Sequence, residues 1–238
     1  RLETLAHRCR RTTDRCGYLR RHGAPVTNRR AHVVAGLAFG DEGKGTMVDF
    51  LCRAHNAKLV VRYNGGPQAG HNVVLPDGRH HSFSQFGAGS FIPDVKTHLS
   101  KHMLVEPFAM MNERNSLVTN CGTDPMPRLT IDPRCAVITP WHWMLNKIKE
   151  LSRGDEKHGS CGMGVGEARA DQLSGKGICI LDVAASDLAD RLMEIRESKL
   201  DEASDVVNGG EAWDIYVKMV HEDVNELAKF YRSWVEQV

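Results

Sequence analysis

The chain has 238 residues, 41% of them hydrophobic and 26% charged, with 31 Lys and Arg against 30 Asp and Glu. That length suffices for a buried core, and this composition excludes disordered, collagen-like and coiled-coil classes. The near-neutral total hides a split: residues 1–30 carry nine Arg against Glu3 and Asp14, a net +7, and the remainder carries −6.

Residues 1–31 read as a basic extension without ordered structure, ending near a Gly-Ala-Pro break at 23–25. Such an arm suits nucleic acid or organelle targeting as well, but an ordinary leader is the preferred reading. Nucleic acid is not expected as a partner, since basic tails commonly have no specific one, and a membrane is not expected because no apolar run approaches the ~20 residues of a bilayer span. The chain opens on Arg1 rather than on methionine, so its natural start is expected upstream. Seven cysteines without a CxxC pair favour a reducing, cytoplasmic setting.

An ordered domain is expected over 32–238. The apolar run 32–37 reads as a buried strand, 46–55 as a helix and 58–63 as a second strand. Together they would make a βαβ unit, which calls for a parallel sheet. Further strands are expected at 72–75, 80–84, 103–105, 128–131, 135–139 and 177–182. Helices are expected at 106–114, 140–152 and 186–197. Ala212, Tyr216, Val220, Val224, Leu227, Tyr231 and Trp234 recur at steps of three and four, predicting one helix over 211–236.

The most informative run is Gly36 to Thr46, GLAFGDEGKGT, placed between an expected strand and an expected helix. Its glycines let backbone N–H groups curl around an anion at a helix N-terminus, and Lys44 adds a point charge. It is not a Walker A loop, which needs Gly where this chain has Ala38 and Ser or Thr where it has Gly45. Asp41 would be a poor neighbour for phosphate unless it bridges through a divalent cation or serves as a general base. A second loop, Asn64 to His71 (NGGPQAGH), follows the next strand, and both loops are expected at one crevice. There His71 could donate a proton to an oxygen gaining charge, while Asn64 and Gln68 offer neutral hydrogen-bonding groups.

The runs FGDEGKGTMVDFL (39–51) and VVRYNGGPQAGHNVV (60–74) resemble the adenylosuccinate synthetase family, whose N-terminal signature is WGDEGKGKIVD followed by VVRxxGGxNAGH. The resemblance covers residues 32–182. It implies an α/β fold of mostly parallel sheet flanked by helices, a P-loop-like GTP-binding synthetase architecture, incomplete at its C-terminal end. It implies a GTP-dependent ligase of purine nucleotide biosynthesis that joins IMP and L-aspartate, giving adenylosuccinate, GDP and phosphate. Mg²⁺ would be the cofactor, GTP the phosphoryl donor, and a homodimer the assembly.

By the same resemblance, Asp41 takes the N1 proton of IMP and, with the Gly70 carbonyl, binds Mg²⁺, while His71 is the general acid. Gly40, Glu42, Gly43, Lys44, Gly45 and Thr46 would hold the GTP phosphates. Asn64, Gln68 and Ala69 would contact IMP, with Gln68 standing where the family has Asn. A further run, His158 to Glu167, resembles the family's GTTGRGIGPA loop for the IMP phosphate and assigns Ser160 and Cys161 to substrate. Cys161 replaces a Thr there, Met163 replaces an Arg, and Gly175 stands where another Arg is expected. Ser198-Lys199-Leu200-Asp201 matches the family's guanine-reading TKLD run in letters, but its charged helical setting argues against that role. The departures leave two alternatives: a catalytically impaired purine-nucleotide-binding relative, or a ligase for a different purine nucleotide or amino acid.

Overall fold

The computed structural model describes residues 30–156 and 159–238, so the expectations for the basic leader up to residue 29 lie outside the described residues. The unit considered below runs from Val34 to Val238.

The first regular element is helix α1, Lys44–His55, entered through Gly43 at φ 67° and left through Asn56 at φ 50°. Glycine reaches the left-handed region without strain, and Asn is the side chain that best tolerates it. Strand β1, Leu59–Gly65, follows directly. A hairpin of β2, His71–Val74, and β3, His80–Phe83, comes next. The Leu75 carbonyl accepts the Gly78 N–H at 3.0 Å, closing the connecting turn at a glycine with φ 89°.

Strand β4, Lys96–Val105, is the centre of the main sheet. It pairs in parallel with β1, with β5 (Leu129–Ile131) and with β6 (Ala136–Val137). Helix α2, Pro107–Cys121, makes the crossover from β4 to β5, its first turn capped by the Glu106 carboxylate. The expected sheet is therefore parallel and flanked by helices. One face carries the core, where Phe86, Leu99, Met103, Met110 and Leu117 are buried. On the other face Leu59, Val61 and Tyr63 of β1 stay 51%, 50% and 65% exposed. Parallel sheets normally bury both faces, so this sheet is open on one side.

Helices α3 (Pro140–Ser152), α4 (Val165–Ser174), α5 (Ile180–Val183), α6 (Leu188–Ser204), α7 (Gly210–His221) and α8 (Val224–Val235) complete the unit. Tyr231 and Trp234 of α8 are fully buried. Burial of each large apolar side chain contributes about 1.5–3 kcal/mol.

Three expected elements differ. Residues 32–37 form no strand, and Val33 and Leu37 are 90% and 97% exposed. A strand exists only with a neighbour, and the Leu37 and Ala38 N–H groups instead bond the Glu42 carboxylate. Residues 177–182 supply one isolated bridge, Cys179 to Ala136, and then turn into α5, because Asp182 accepts the Cys179 N–H at 2.9 Å. The helix expected over 211–236 is two helices. Glu222 is extended, and the Asp223 carboxylate caps α8 by accepting from Asn225 and Glu226 N–H. Among the described residues no helix is long and apolar enough to cross a membrane.

Candidate nucleotide site

The site is built where the N-terminus of α1 meets the start of β2. Gly40 at φ 116°, Asp41 at φ 51° and Gly43 at φ 67° curl the chain tightly before the helix. Asp41 is a non-glycine residue in the left-handed region, a strain that concentrates at functional loops. No side chain caps α1, so the N–H groups of its first turn have no side-chain acceptor. Lys44 lies at that turn, its ammonium 2.7 Å from the Glu42 carboxylate.

Gly45 brings the second loop against the first. A Cβ there would lie 2.5 Å from the His71 carbonyl carbon and 2.7 Å from the Asn72 carbonyl oxygen. The Thr46 hydroxyl donates to that same Asn72 carbonyl at 3.1 Å. Position 45, where a Walker loop carries Ser or Thr, thus has no room for a side chain. The two loops enclose a cleft of ≈ 550 Å³ lined by Gly40 to Thr46 and Ala69 to Asn72. Asp41, Lys44, Gly70 and His71 thus share one cavity, as both Gly-rich loops led us to expect.

The electrostatics are set by burial and by cations. His71 is pulled down to about 4, first by burial, then by the positive charges of Arg62 and Lys44. Its imidazole is therefore neutral near pH 7 and can donate only one N–H. Arg62 sits buried on β1, where Nη1 donates to the Phe86 carbonyl at 3.1 Å, and burial lowers it to about 10. Asp41 is exposed and makes no hydrogen bond or ion pair among the described residues. Asp41 and Gly70 both line this cleft, and a carboxylate and a backbone carbonyl are the hard oxygen ligands that Mg²⁺ takes.

The family model for adenylosuccinate synthetase matches residues 33–238. The chain belongs to the adenylosuccinate synthetase family. An adenylosuccinate synthetase of Clostridium botulinum (strain Langeland) is 33% identical over 216 residues, covering 87% of this chain and 46% of that protein. One of Chlorobium chlorochromatii is 35% identical over 158 residues, covering 66% and 36%. The chain thus spans about half the length of the curated relatives it matches, 46% in the first case. A solved, fully ligated adenylosuccinate synthetase of Plasmodium falciparum superposes with a TM-score of 0.61 at 20% identity, over 83% of this chain and 42% of that one. At that identity the likeness speaks for the fold alone, and it agrees with an incomplete α/β synthetase architecture.

The remaining family positions are spread more widely. Asn64 and Gln68 are exposed and do not line the cleft, whereas Ala69 does. Gln68 lies against Gly66, where an added Cβ would meet its Oε1 at 2.9 Å. Ser160 and Cys161 lie in the loop between α3 and α4. The Ser160 hydroxyl donates to Asn146 at 3.0 Å, and Cys161 is exposed as a free thiol. The Ser198–Asp201 run is packing rather than a loop end: it lies inside α6, where Lys199 is buried and bonds Asp171 at 2.6 Å.

Sequence reading missed two residues of the site. Asn72 lines the cleft, and its position directly after His71 was the available signal. Arg62 reaches His71 only through space, and nothing in a strand's alternation marks one buried guanidinium as electrostatically important.

Proposed function

We propose that this chain carries the phosphoryl-donor side of a GTP-dependent ligase that joins IMP and L-aspartate. Its curated relatives are named for that product, and the junction of Gly45 with His71 is the observation that carries the reading. It sets a carboxylate, a lysine, open helix N–H groups and a neutral imidazole around one cleft, which is what phosphoryl transfer requires.

In this reading Lys44, the 43–46 backbone and the Thr46 hydroxyl hold the GTP phosphates. The unpartnered Asp41 takes the N1 proton of IMP as its 6-oxygen attacks the γ-phosphorus and GDP leaves. His71, neutral and oriented by the second loop, donates a hydrogen bond to the oxygen that gains charge. The aspartate amine then displaces phosphate from carbon 6. Mg²⁺, held by Asp41 and the Gly70 carbonyl, would neutralise phosphate charge. The chain would act as a homodimer in the cytoplasm.

Calorimetry with GTP and Mg²⁺ tests the binding step, and phosphate release with IMP and aspartate tests the reaction. GTP binding lost in Lys44→Ala, with turnover lost in Asp41→Ala, is the expected pattern. Phosphate release equal in wild type and Asp41→Ala would overturn the ligase reading. A second reading, nucleotide binding without turnover, is favoured by Cys161 and Met163 in the third loop, and GTP binding with no phosphate release is its signature.

A further inference from the structure

The loop ahead of Lys44 already holds an anion. Glu42 Oε1 accepts the Leu37 N–H at 2.7 Å and the Ala38 N–H at 2.8 Å, while Oε2 accepts from Lys44 Nζ at 2.7 Å. The ion pair lies on bare backbone: a Cβ on Gly36 would come within 2.1 Å of Glu42 Oε2 and 2.7 Å of Lys44 Nζ. Two successive N–H groups beside an ammonium make the donor set that recognises a phosphate oxygen. Resting on the assignment of Lys44 to the nucleotide phosphates, we propose that Glu42 is an internal stand-in for phosphate, seated on these donors and displaced when the nucleotide binds.

Two further considerations support placing the carboxylate there. Left in place, it would add a negative charge beside Asp41 exactly where a triphosphate brings more, so binding and occupancy by Glu42 oppose one another. The arrangement also recurs. In the loop that resembles the IMP-phosphate segment, Glu150 Oε2 accepts from the Gly159 and Ser160 N–H groups at 3.1 and 3.4 Å, and its other oxygen pairs with Arg153. Each candidate phosphate loop is thus closed on a carboxylate of this chain that also pairs with a basic side chain. Glu42 consequently lowers nucleotide affinity by occupying the seat, although family position alone makes it a contact residue.

The test is calorimetry of GTP with Mg²⁺ on the full chain and on Glu42→Gln, Glu42→Ala and Lys44→Ala, with hydrogen exchange of the Leu37 and Ala38 amides. Neutral Gln keeps the shape but competes less, so GTP binding tightens about fivefold or more, because apparent affinity scales with the fraction of open sites. Without ligand the two amides exchange faster in Glu42→Ala than in wild type, and GTP restores their protection. Unchanged or weaker binding in Glu42→Gln overturns the stand-in, as does failure of GTP to protect the amides in Glu42→Ala. Lys44→Ala separates the two ideas. Loss of binding there, with wild-type affinity in Glu42→Gln, sinks the stand-in alone, whereas GTP that binds none of the four proteins sinks the nucleotide reading with it.

Discussion

Gly45 and His71 meet backbone to backbone, and that contact joins the two loops of the site: any side chain at position 45 would stand 2.5 Å from the His71 carbonyl carbon. Gly45→Ala therefore forces α1 away from β2. Overpacking of this kind costs about 1–3 kcal/mol. A lower urea midpoint together with weakened GTP binding is expected. An Ala variant matching wild type in both measurements would deny the contact its role.

The His71 imidazole should stay neutral through the physiological range. Its folded value of about 4 lies below the ordinary 6.5, with burial the first cause and the Arg62 and Lys44 charges the next. As pH falls below 6.5, the unfolded chain takes up a proton that the folded chain refuses. Stability attached to this group is therefore present above that range and declines as pH falls toward 4. NMR titration of the ring should show no protonation above pH 5, and Lys44→Ala should raise the midpoint. A midpoint near 6.5 in wild type would contradict the burial argument.

Behind the sheet, α3, α4 and α6 are joined by a buried polar chain. The Thr139 N–H donates to His142 Nδ1 at 2.9 Å, so Nε2 carries the proton that His142 gives to Asp171 at 3.0 Å. Asp171 also accepts from Lys199 at 2.6 Å. Burial alone would raise this carboxyl, but the bonds from His142 and Lys199 outweigh it and hold it below its ordinary value. Removing one partner leaves the others charged or unsatisfied, so Asp171→Ala is expected to cost about 3–5 kcal/mol in urea denaturation. Asp171 binds its proton more readily unfolded than folded, so its contribution is lost as pH falls through the carboxylate range. A loss under 1 kcal/mol would show that the network is replaceable.

The third loop can be probed through its thiol. Cys161 is exposed, whereas Cys52, Cys121 and Cys135 are buried and burial drives Cys135 up to about 12. Alkylation followed by peptide mass analysis should modify Cys161 well ahead of those three. If this loop takes a nucleotide phosphate, IMP should slow Cys161 modification. A rate indifferent to saturating IMP would remove Ser160 and Cys161 from the substrate site.

Family membership and the two loops were readable because a Gly-rich loop is a local object. The run 39–51 contains its own turn glycines, its lysine and the start of its helix, and NGGPQAGH contains the second loop entire. The errors fell where structure depends on distant partners. The apolar run 32–37 has strand composition but no strand beside it among the described residues, so its amides turn to Glu42. The periodic run 211–236 keeps its apolar stripe across the break, and the capping carboxylate of Asp223 decides that it is two helices.

Local chemistry in the sequence thus sufficed for the family and the α/β class, and it singled out Asp41, Lys44 and His71 as candidates. Composition placed no residue beside another. Only the tertiary structure set Gly45 against His71, gave the cleft its walls, half-buried the imidazole near the Arg62 charge, and seated Glu42 on the Leu37 and Ala38 N–H groups. The physical reason is the same for each. Sterics, desolvation and charge act across space, between residues far apart along the chain, as the Thr46 to Asn72 bond across 26 positions illustrates. Net charge, the first quantity read, carried least information about this site: the body has net −6, so the proposed affinity for an anion would rest on one lysine and a few backbone N–H groups held in place.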